Sequence, residues 1–225
     1  MTRLKDGDLA QLQELIAAGE DLTAQDKNVG TALHWAALKD NIDVARLLIE
    51  AGTDVNLPNT GSQQTALHIA AFSGSVEVAV LLIEAGADAE ARNLYGDTPL
   101  HTATAEDQSN VAKLLIEAGA NIEARNVEAF TPLFLAAGGN AVGAIELLVA
   151  EGADIDAKRT IGYTALHYAT NKGHVDALRK LIQLGADVNG APHTEPVNSL
   201  TPLGYAIVKG RNEIADILRA AGASE

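Results

Sequence analysis

The chain has 225 residues, of which 47% are hydrophobic and 4% aromatic, and its formal net charge is −14 at pH 7. No apolar run approaches the roughly 18 residues needed to span a membrane, and the charged first residues do not resemble a secretory signal. Cysteine is absent, so disulfides, thiolate metal sites and cysteine nucleophiles are excluded.

The first 25 residues contain one apolar stripe, formed by Leu9, Leu12, Leu15 and Ile16, and this stripe is followed by Gly19. Residues with this spacing lie on one face of an α-helix, and glycine is a common helix stop. The segment therefore predicts one amphipathic helix. A fragment of a longer chain is an open alternative, because the pattern begins in the middle of the repeat described below.

A Thr-x-Leu step recurs along the rest of the chain and marks a predicted helix start each time. Threonine accepts hydrogen bonds from the backbone N–H groups of a first helical turn, and proline, which follows three of the threonines, fits the first helical position. The steps begin at Thr31, Thr65, Thr98, Thr131, Thr164 and Thr201.

Each of these helices is predicted to end at a residue that tolerates a positive φ angle, after which a second helix follows. Glycine, asparagine and aspartate adopt such angles most readily. One second helix is predicted from Val76 to Glu84, with Val76, Ala79, Leu82 and Ile83 on one stripe. The predicted breaks are Asp40, Gly74, Asp107, Asn140, Gly173 and Gly210.

A glycine closes each second helix and gives the chain its period. Helices of about ten residues are not stable alone in water, so their apolar stripes must pack between neighbouring repeats. The function of such an array is expected on an extended surface, not in one pocket. The glycines are Gly19, Gly52, Gly86, Gly119, Gly152, Gly185 and Gly222, at spacings of 33, 34, 33, 33, 33 and 37 residues.

Between each glycine and the next threonine, small and polar residues alternate, as from Ala87 to Arg92. A turn such as Asn93 to Asp97 then follows. This pattern is typical of an extended arm that ends in a hairpin-like tip.

The Thr-x-Leu steps, as in Thr98-Pro99-Leu100-His101, and the glycines in phase with them resemble the ankyrin-repeat family. The resemblance covers essentially the whole chain. It implies an all-α repeat solenoid, in which helix-turn-helix ankyrin repeats with projecting β-hairpin fingers stack into a slightly curved body with a concave face. Phe134 and Gly204 replace the signature histidine, which affects local capping but not the fold.

The register predicts a single ankyrin-repeat domain. Residues 1–25 form a truncated N-terminal capping repeat, and residues 196–225 form a C-terminal capping repeat. A longer loop between Gly190 and Leu200 is either a specificity element or drift. The internal repeats are 26–59, 60–92, 93–125, 126–158 and 159–195, the last with four extra residues in its loop.

The negative charge is concentrated in the middle of the chain. Residues 47–157 hold 3 Lys/Arg against 16 Asp/Glu, whereas residues 158–225 hold 8 against 6. Such a surface repels nucleic acid and anionic lipid and attracts a basic protein. Improved solubility is the alternative explanation for the charge.

The aromatic residues fall into two groups by their position in the repeat. Those three or four residues after a threonine, such as Phe134 and Tyr168, are expected to pack between first helices. In the ankyrin family, the tips and the exposed sides of the first helices form the concave face where partners dock. The resemblance therefore implies a partner-binding set, with packing against the adjacent tip as the alternative: Leu38, Phe72, Tyr95, Asp97, Glu106, Glu128, Phe130, Ile161 and Tyr163.

The histidines of the signature position are predicted to stabilise turns and not to bind metal. First helices of neighbouring repeats lie about 8 to 10 Å apart, which is too far for equivalent side chains to share a zinc ion. The run from Gly138 to Gly143 lies at a break between helices with no strand before it, so it does not predict a nucleotide loop. We predict no catalytic, cofactor-binding or metal-binding residues.

The sequence thus predicts a non-catalytic protein-binding module, monomeric on its own, which binds a basic partner and neither nucleic acid nor membranes. An inhibitor or immunity-type antidote that masks a basic enzyme is a narrower alternative. An enzyme, a small-ligand binder and an engineered scaffold are less favoured. A cytoplasmic location is expected, and a periplasmic or secreted one would follow if upstream residues had been removed.

Overall fold

The computed structural model describes residues 9–26, 29–159, 162–190 and 200–224, and these form thirteen helices. A short helix α1 (Leu9–Ala17) precedes six helix pairs. The first helices are α2 (Ala32–Lys39), α4 (Ala66–Ser73), α6 (Pro99–Ala105), α8 (Pro132–Gly139), α10 (Ala165–Lys172) and α12 (Pro202–Val208). The second helices are α3 (Ile42–Glu50), α5 (Val76–Glu84), α7 (Ser109–Glu117), α9 (Val142–Ala150), α11 (Val175–Gln183) and α13 (Asn212–Ala220).

Every first helix begins directly after its predicted threonine, and every predicted break has a positive φ angle. Asp40, Asp107 and Asn140 adopt φ angles of 51°, 55° and 59°, in the left-handed region that asparagine and aspartate tolerate better than most residues. Gly86 has a φ angle of 86°, and a Cβ placed there would meet nothing within 4 Å. Glycine is thus required at this position by its backbone angle and not by lack of space.

Contacts between helices divide the chain into two compact units. The N-terminal unit comprises Met1–Ala103 and Asn110–Asn121, and the C-terminal unit comprises Thr104–Ser109 and Ile122–Glu225. In the N-terminal unit, α2 packs on α4 and α3 packs on both α1 and α5. In the C-terminal unit, α10 packs between α8 and α12, and α11 packs on α9 and α13.

The core of each unit is a series of leucines at repeat-equivalent positions. The leucine of every Thr-x-Leu step, such as Leu67 or Leu166, is at most 2% exposed, and a leucine of every second helix, such as Leu82 or Leu181, is fully buried. In the predicted stripe of α5, Val76 and Ile83 are only half-buried, whereas Val78 is fully buried. The helix was therefore predicted correctly, but its buried face is rotated from the predicted one.

The signature histidines His34 and His68 bond to turns, as predicted, and the structure shows that these turns belong to the next repeat. In His68, Nδ1 accepts a hydrogen bond from the Thr65 backbone N–H at 3.2 Å, so the neutral ring carries its proton on Nε2. That Nε2–H donates to the carbonyl of Asp97 in the next repeat at 2.9 Å. His34 makes the equivalent bonds, with the carbonyl of Gln64 as its acceptor at 2.9 Å.

The tips are tight turns, and the described residues include no β-strand. Short-range backbone hydrogen bonds close the turns. In the 93–97 turn, the Asn93 N–H donates to the Asp97 carbonyl at 3.0 Å and the Gly96 N–H donates to the Asn93 carbonyl at 2.9 Å. The Asn93 side chain accepts from two further N–H groups inside the turn, those of Tyr95 and Asp97. These bonds replace the ladder of a longer hairpin.

Acidic and amide side chains connect the arms of successive repeats. Glu90 Oε1 accepts from the Asn121 backbone N–H at 2.8 Å in the N-terminal unit. Glu123 Oε1 makes the same bond with the Asp154 N–H at 2.8 Å in the C-terminal unit. Part of the acidic character of the middle repeats therefore has a structural role, since these carboxylates satisfy backbone donors.

Candidate functional site

In the N-terminal unit, the predicted partner-binding residues include two exposed aromatic side chains. Phe72 is 48% exposed at the end of α4, and Tyr95 is 61% exposed in the 93–97 turn. Leu94, beside Tyr95, is 57% exposed. Leu38 and Asp97, which belong to the same predicted set, are half-buried.

Hydrogen bonds hold the turn that carries Tyr95. The Leu94 N–H donates to the Ser62 carbonyl at 2.9 Å, which ties this turn to that of the preceding repeat. Arg92 Nη1 donates to the Gly96 carbonyl at 2.9 Å. Tyr95 is thus exposed on a turn whose backbone is fixed on both sides.

The predicted residues of the C-terminal unit have more varied surroundings. Glu106 is exposed directly after α6, and Glu128 forms an ion pair with Arg159, with Oε2 and Nη2 3.4 Å apart. Phe130 and Tyr163 are half-buried. Ile161 lies outside the described residues, as does most of the longer loop between Gly190 and Leu200.

Phe130 belongs to an aromatic stack and not to an isolated exposed tip. Its ring lies 4.5 Å from that of Phe134, which in turn lies 4.6 Å from the ring of Tyr168. Phe134 and Tyr168 are first-helix residues that were expected to pack, whereas Phe130 was assigned to partner contact. The structure joins the two sequence groups because α8, α10 and the 126–130 turn place these side chains together.

This stack forms one side of a cavity of about 160 Å³ within the C-terminal unit. Its aromatic walls are Phe134, Tyr163, Tyr168 and Tyr205, and we call it the aromatic pocket. The rings of Tyr163 and Tyr205 meet edge to face with centroids 5.6 Å apart. Burial, with the phenol of Tyr205 alongside, raises the pKa of Tyr163.

Polar groups also line the aromatic pocket. They belong to Arg159, His167 and Asn171. Among the described residues, Nε of Arg159 has no hydrogen-bond partner, although this atom is buried. Burial lowers the pKa of His167 to about 4, against a weaker opposing effect of the Leu200 backbone.

Three cations lie over aromatic faces around the pocket. The guanidinium carbon of Arg159 is 4.7 Å from the centroid of Phe130. Lys172 Nζ is 5.3 Å from the centroid of Tyr168, and Lys209 Nζ is 6.0 Å from that of Tyr205. The local charge here is therefore positive on the aromatic surface, unlike that of the acidic middle repeats.

Sequence reasoning missed Arg159, although a signal was present. Residues seven positions after a period-marking glycine are Asn59, Asn93 and Asn126 in other repeats. Each of these asparagines accepts hydrogen bonds from N–H groups of its own turn. Arg159 occupies this position after Gly152 and cannot accept such bonds, so comparison of the repeats at this position would have singled it out.

The part of the chain that the structure describes contains no group of three or more His, Asp or Glu residues placed to hold a metal ion. Within the same residues, no helix is long and apolar enough to cross a bilayer.

A comparison with protein families identifies the type of repeat. The sequence matches the description "Ankyrin repeats (3 copies)" over residues 1–93, 100–192 and 133–224. The chain belongs to the ankyrin-repeat family. A second description, "Ankyrin repeats (many copies)", matches this ankyrin chain over residues 73–116.

A solved ankyrin structure is similar over most of the chain. The human ASB11 ankyrin repeat domain is 30% identical, with a TM-score of 0.75 over 85% of this chain and 84% of that one. The all-helical repeat fold predicted from the sequence is thereby confirmed.

Two curated relatives match over shorter ankyrin segments. The E3 ubiquitin-protein ligase KEG of Arabidopsis thaliana is 47% identical over 49 residues, which are 21% of this chain and 3% of the relative. The palmitoyltransferase akr1 of Schizosaccharomyces pombe (strain 972 / ATCC 24843) is 43% identical over 51 residues, which are 22% of this chain and 8% of the relative. Ankyrin repeats are generally protein–protein interaction modules and typically non-catalytic scaffolds.

Proposed function

We propose that this ankyrin protein binds a basic partner protein through the exposed apolar side chains of the N-terminal unit. The observation that carries the proposal is the exposure of Phe72, Leu94 and Tyr95, which are 48%, 57% and 61% exposed. Exposed large apolar residues set among charged ones favour an interaction surface. Aromatic side chains are also enriched among the residues that dominate binding energies.

Rigidity of the turn supports this assignment. The backbone around Tyr95 is held by the Leu94 to Ser62 bond and by the bonds to the Asn93 side chain. A side chain on a fixed turn loses little conformational freedom when a partner covers it, so more of the contact energy is available for binding.

Charge supports a basic partner. Residues 47–157 hold 16 Asp/Glu against 3 Lys/Arg. Carboxylates such as Asp88 are exposed even where they accept a backbone hydrogen bond, so they contribute to the negative field. This field would steer a basic surface toward the middle repeats and repel an acidic one. A stoichiometric inhibitor of a basic enzyme is the narrower form of the proposal.

The test is affinity capture from lysate, followed by measurement of the captured partner's affinity for a Phe72→Ala, Tyr95→Ala double variant. Both side chains are exposed, so the variant should fold normally while it loses at least about tenfold in affinity, as expected for anchor residues. Val127→Ala is the matched control, since Val127 is 72% exposed in a turn of the C-terminal unit. We expect this control to retain full affinity.

Two outcomes would contradict the proposal. Equal affinity of the double variant and the original chain would exclude this surface as the docking site. An association rate that does not fall with rising ionic strength would exclude electrostatic steering by the acidic repeats.

A further inference from the structure

We propose that the aromatic pocket of the C-terminal unit binds a tyrosine side chain within an acidic segment of a partner protein. This site is separate from the proposed surface around Tyr95 and has the opposite charge preference. The aromatic walls of the pocket, one unused hydrogen-bond donor and the surrounding cations each specify one property of the occupant.

The size of the pocket limits the occupant to one side chain. Its volume is about 160 Å³, whereas pockets for cofactors and drug-sized ligands are about 300 to 1,000 Å³. An apolar cavity of about 150 Å³ holds a benzene ring. The walls of Phe134, Tyr163, Tyr168 and Tyr205 offer ring faces and edges against which an aromatic side chain packs well.

An unused donor specifies an oxygen atom on that side chain. Nε of Arg159 is buried and has no hydrogen-bond partner among the described residues, and this side chain lines the pocket. Nε2–H of His167 is not such a donor, because it interacts with the Leu200 backbone, as the equivalent groups of His34 and His68 do with a backbone carbonyl of the next repeat. A phenolic oxygen would satisfy the Arg159 donor, which is otherwise costly to bury.

The surrounding cations specify acidic neighbours in the bound segment. Lys172 and Lys209 are exposed and lie over the rings of Tyr168 and Tyr205. Arg159 is paired with Glu128, which is exposed. Residues 158–225 hold 8 Lys/Arg against 6 Asp/Glu, so the region attracts carboxylates that the acidic middle repeats repel.

The departure of Arg159 from its repeat position is independent support. At this position, asparagine stabilises the turn in three other repeats. Arginine gives up these bonds and places a guanidinium at the pocket instead. Residues that break a local rule are typical of functional sites.

The test uses fluorescence anisotropy of three labelled peptides with the full chain. One peptide has a tyrosine between acidic residues, the second has alanine in its place, and the third has the tyrosine between lysines. We expect the acidic tyrosine peptide to bind, and the other two to bind at least about tenfold more weakly. Equal binding of the alanine or the lysine peptide, or no binding of any, would overturn the proposal.

A charge-reversed variant locates the site. Lys172→Glu with Lys209→Glu should weaken binding of the acidic tyrosine peptide by at least about tenfold. Lys39→Glu is the matched control, because Lys39, Lys172 and Lys209 all lie eight residues after a Thr-x-Leu threonine. Each change therefore has a similar cost at the carboxyl end of a first helix. Equal loss in Lys39→Glu would show that overall charge and not the pocket controls binding. The Phe72→Ala, Tyr95→Ala variant should bind this peptide normally, which separates the outcome from that of the basic-partner proposal.

Discussion

The guanidinium of Arg159 lies over the ring of Phe130, 4.7 Å from its centroid. Phe134 also contacts Phe130, and the two rings stack with centroids 4.5 Å apart. Phe130 is therefore part of the folded structure of the C-terminal unit, whereas Tyr95, which occupies a turn of the N-terminal unit, is 61% exposed.

Phe130→Ala should lower the free energy of unfolding by about 2 kcal/mol, because it removes a half-buried ring and the stacking contact of that ring with Phe134. Tyr95→Ala is the matched change at an exposed site and should cost about 0.5 kcal/mol or less. Urea denaturation of both variants measures the difference. Equal stabilities would mean that Phe130 contributes no packing energy and acts only as a surface residue.

Stability should decrease as the pH falls from about 6.5 to about 4, because burial lowers the pKa of His167 from 6.5 to about 4. In this range the unfolded imidazole binds a proton that the folded one does not, so protonation favours unfolding. The contribution of His167 is fully present above pH 6.5 and amounts to about 3 kcal/mol at most. His34 and His68, whose pKa values burial also lowers, contribute with the same sign.

The measurement is denaturant unfolding at several pH values for the original chain and for His167→Gln. Glutamine accepts and donates hydrogen bonds as the third residue of a helix but does not titrate. The variant should therefore show a smaller dependence of stability on pH. The same slope in both proteins would mean that His167 is not protonated on unfolding.

Asn140→Ala should lower the free energy of unfolding by about 1 to 2 kcal/mol, for two reasons. Asn140 has a φ angle of 59°, which alanine tolerates poorly. Its side chain also accepts from the Ala177 N–H of α11 at 3.0 Å, in the manner of a helix cap. Asn140→Gly should lower the free energy of unfolding by less, because glycine adopts the positive φ angle without strain and loses only the hydrogen bond from the Ala177 N–H. Chemical denaturation of both variants tests this order, and a more stable alanine variant would contradict it.

Glu90→Ala should lower the free energy of unfolding by about 1 kcal/mol, whereas Glu90→Gln should leave it nearly unchanged. The Glu90 carboxylate accepts the Asn121 N–H at 2.8 Å, and glutamine retains an acceptor oxygen where alanine does not. Thermal unfolding and urea denaturation of the two variants and the original chain measure these changes in stability. Equal losses in the two variants would show that the charge of Glu90, and not its hydrogen bond, stabilises the arm.

The helix boundaries could be read from the sequence because they depend on neighbouring residues only. A threonine caps the turn that directly follows it, and Gly86 or Asp107 permits a positive φ angle wherever the chain is folded. The family assignment followed from the same local marks, repeated in phase along the chain. Hydrogen bonds from the signature histidines to the backbone of a turn were also predicted, whereas the structure showed that the turn is that of the next repeat.

Tertiary structure alone decided which aromatic residues are available to a partner. Phe130, Phe134 and Tyr168 come from two repeats, and their distances depend on how side chains pack between helices that are far apart in sequence. Burial of Phe130 and formation of the aromatic pocket are properties of that packing, so no local pattern could show them. The sequence alone thus determined the repeat and its helix ends, which backbone sterics and capping control over a few residues. Packing between repeats decided which faces are exposed, because exposure depends on every neighbour at once.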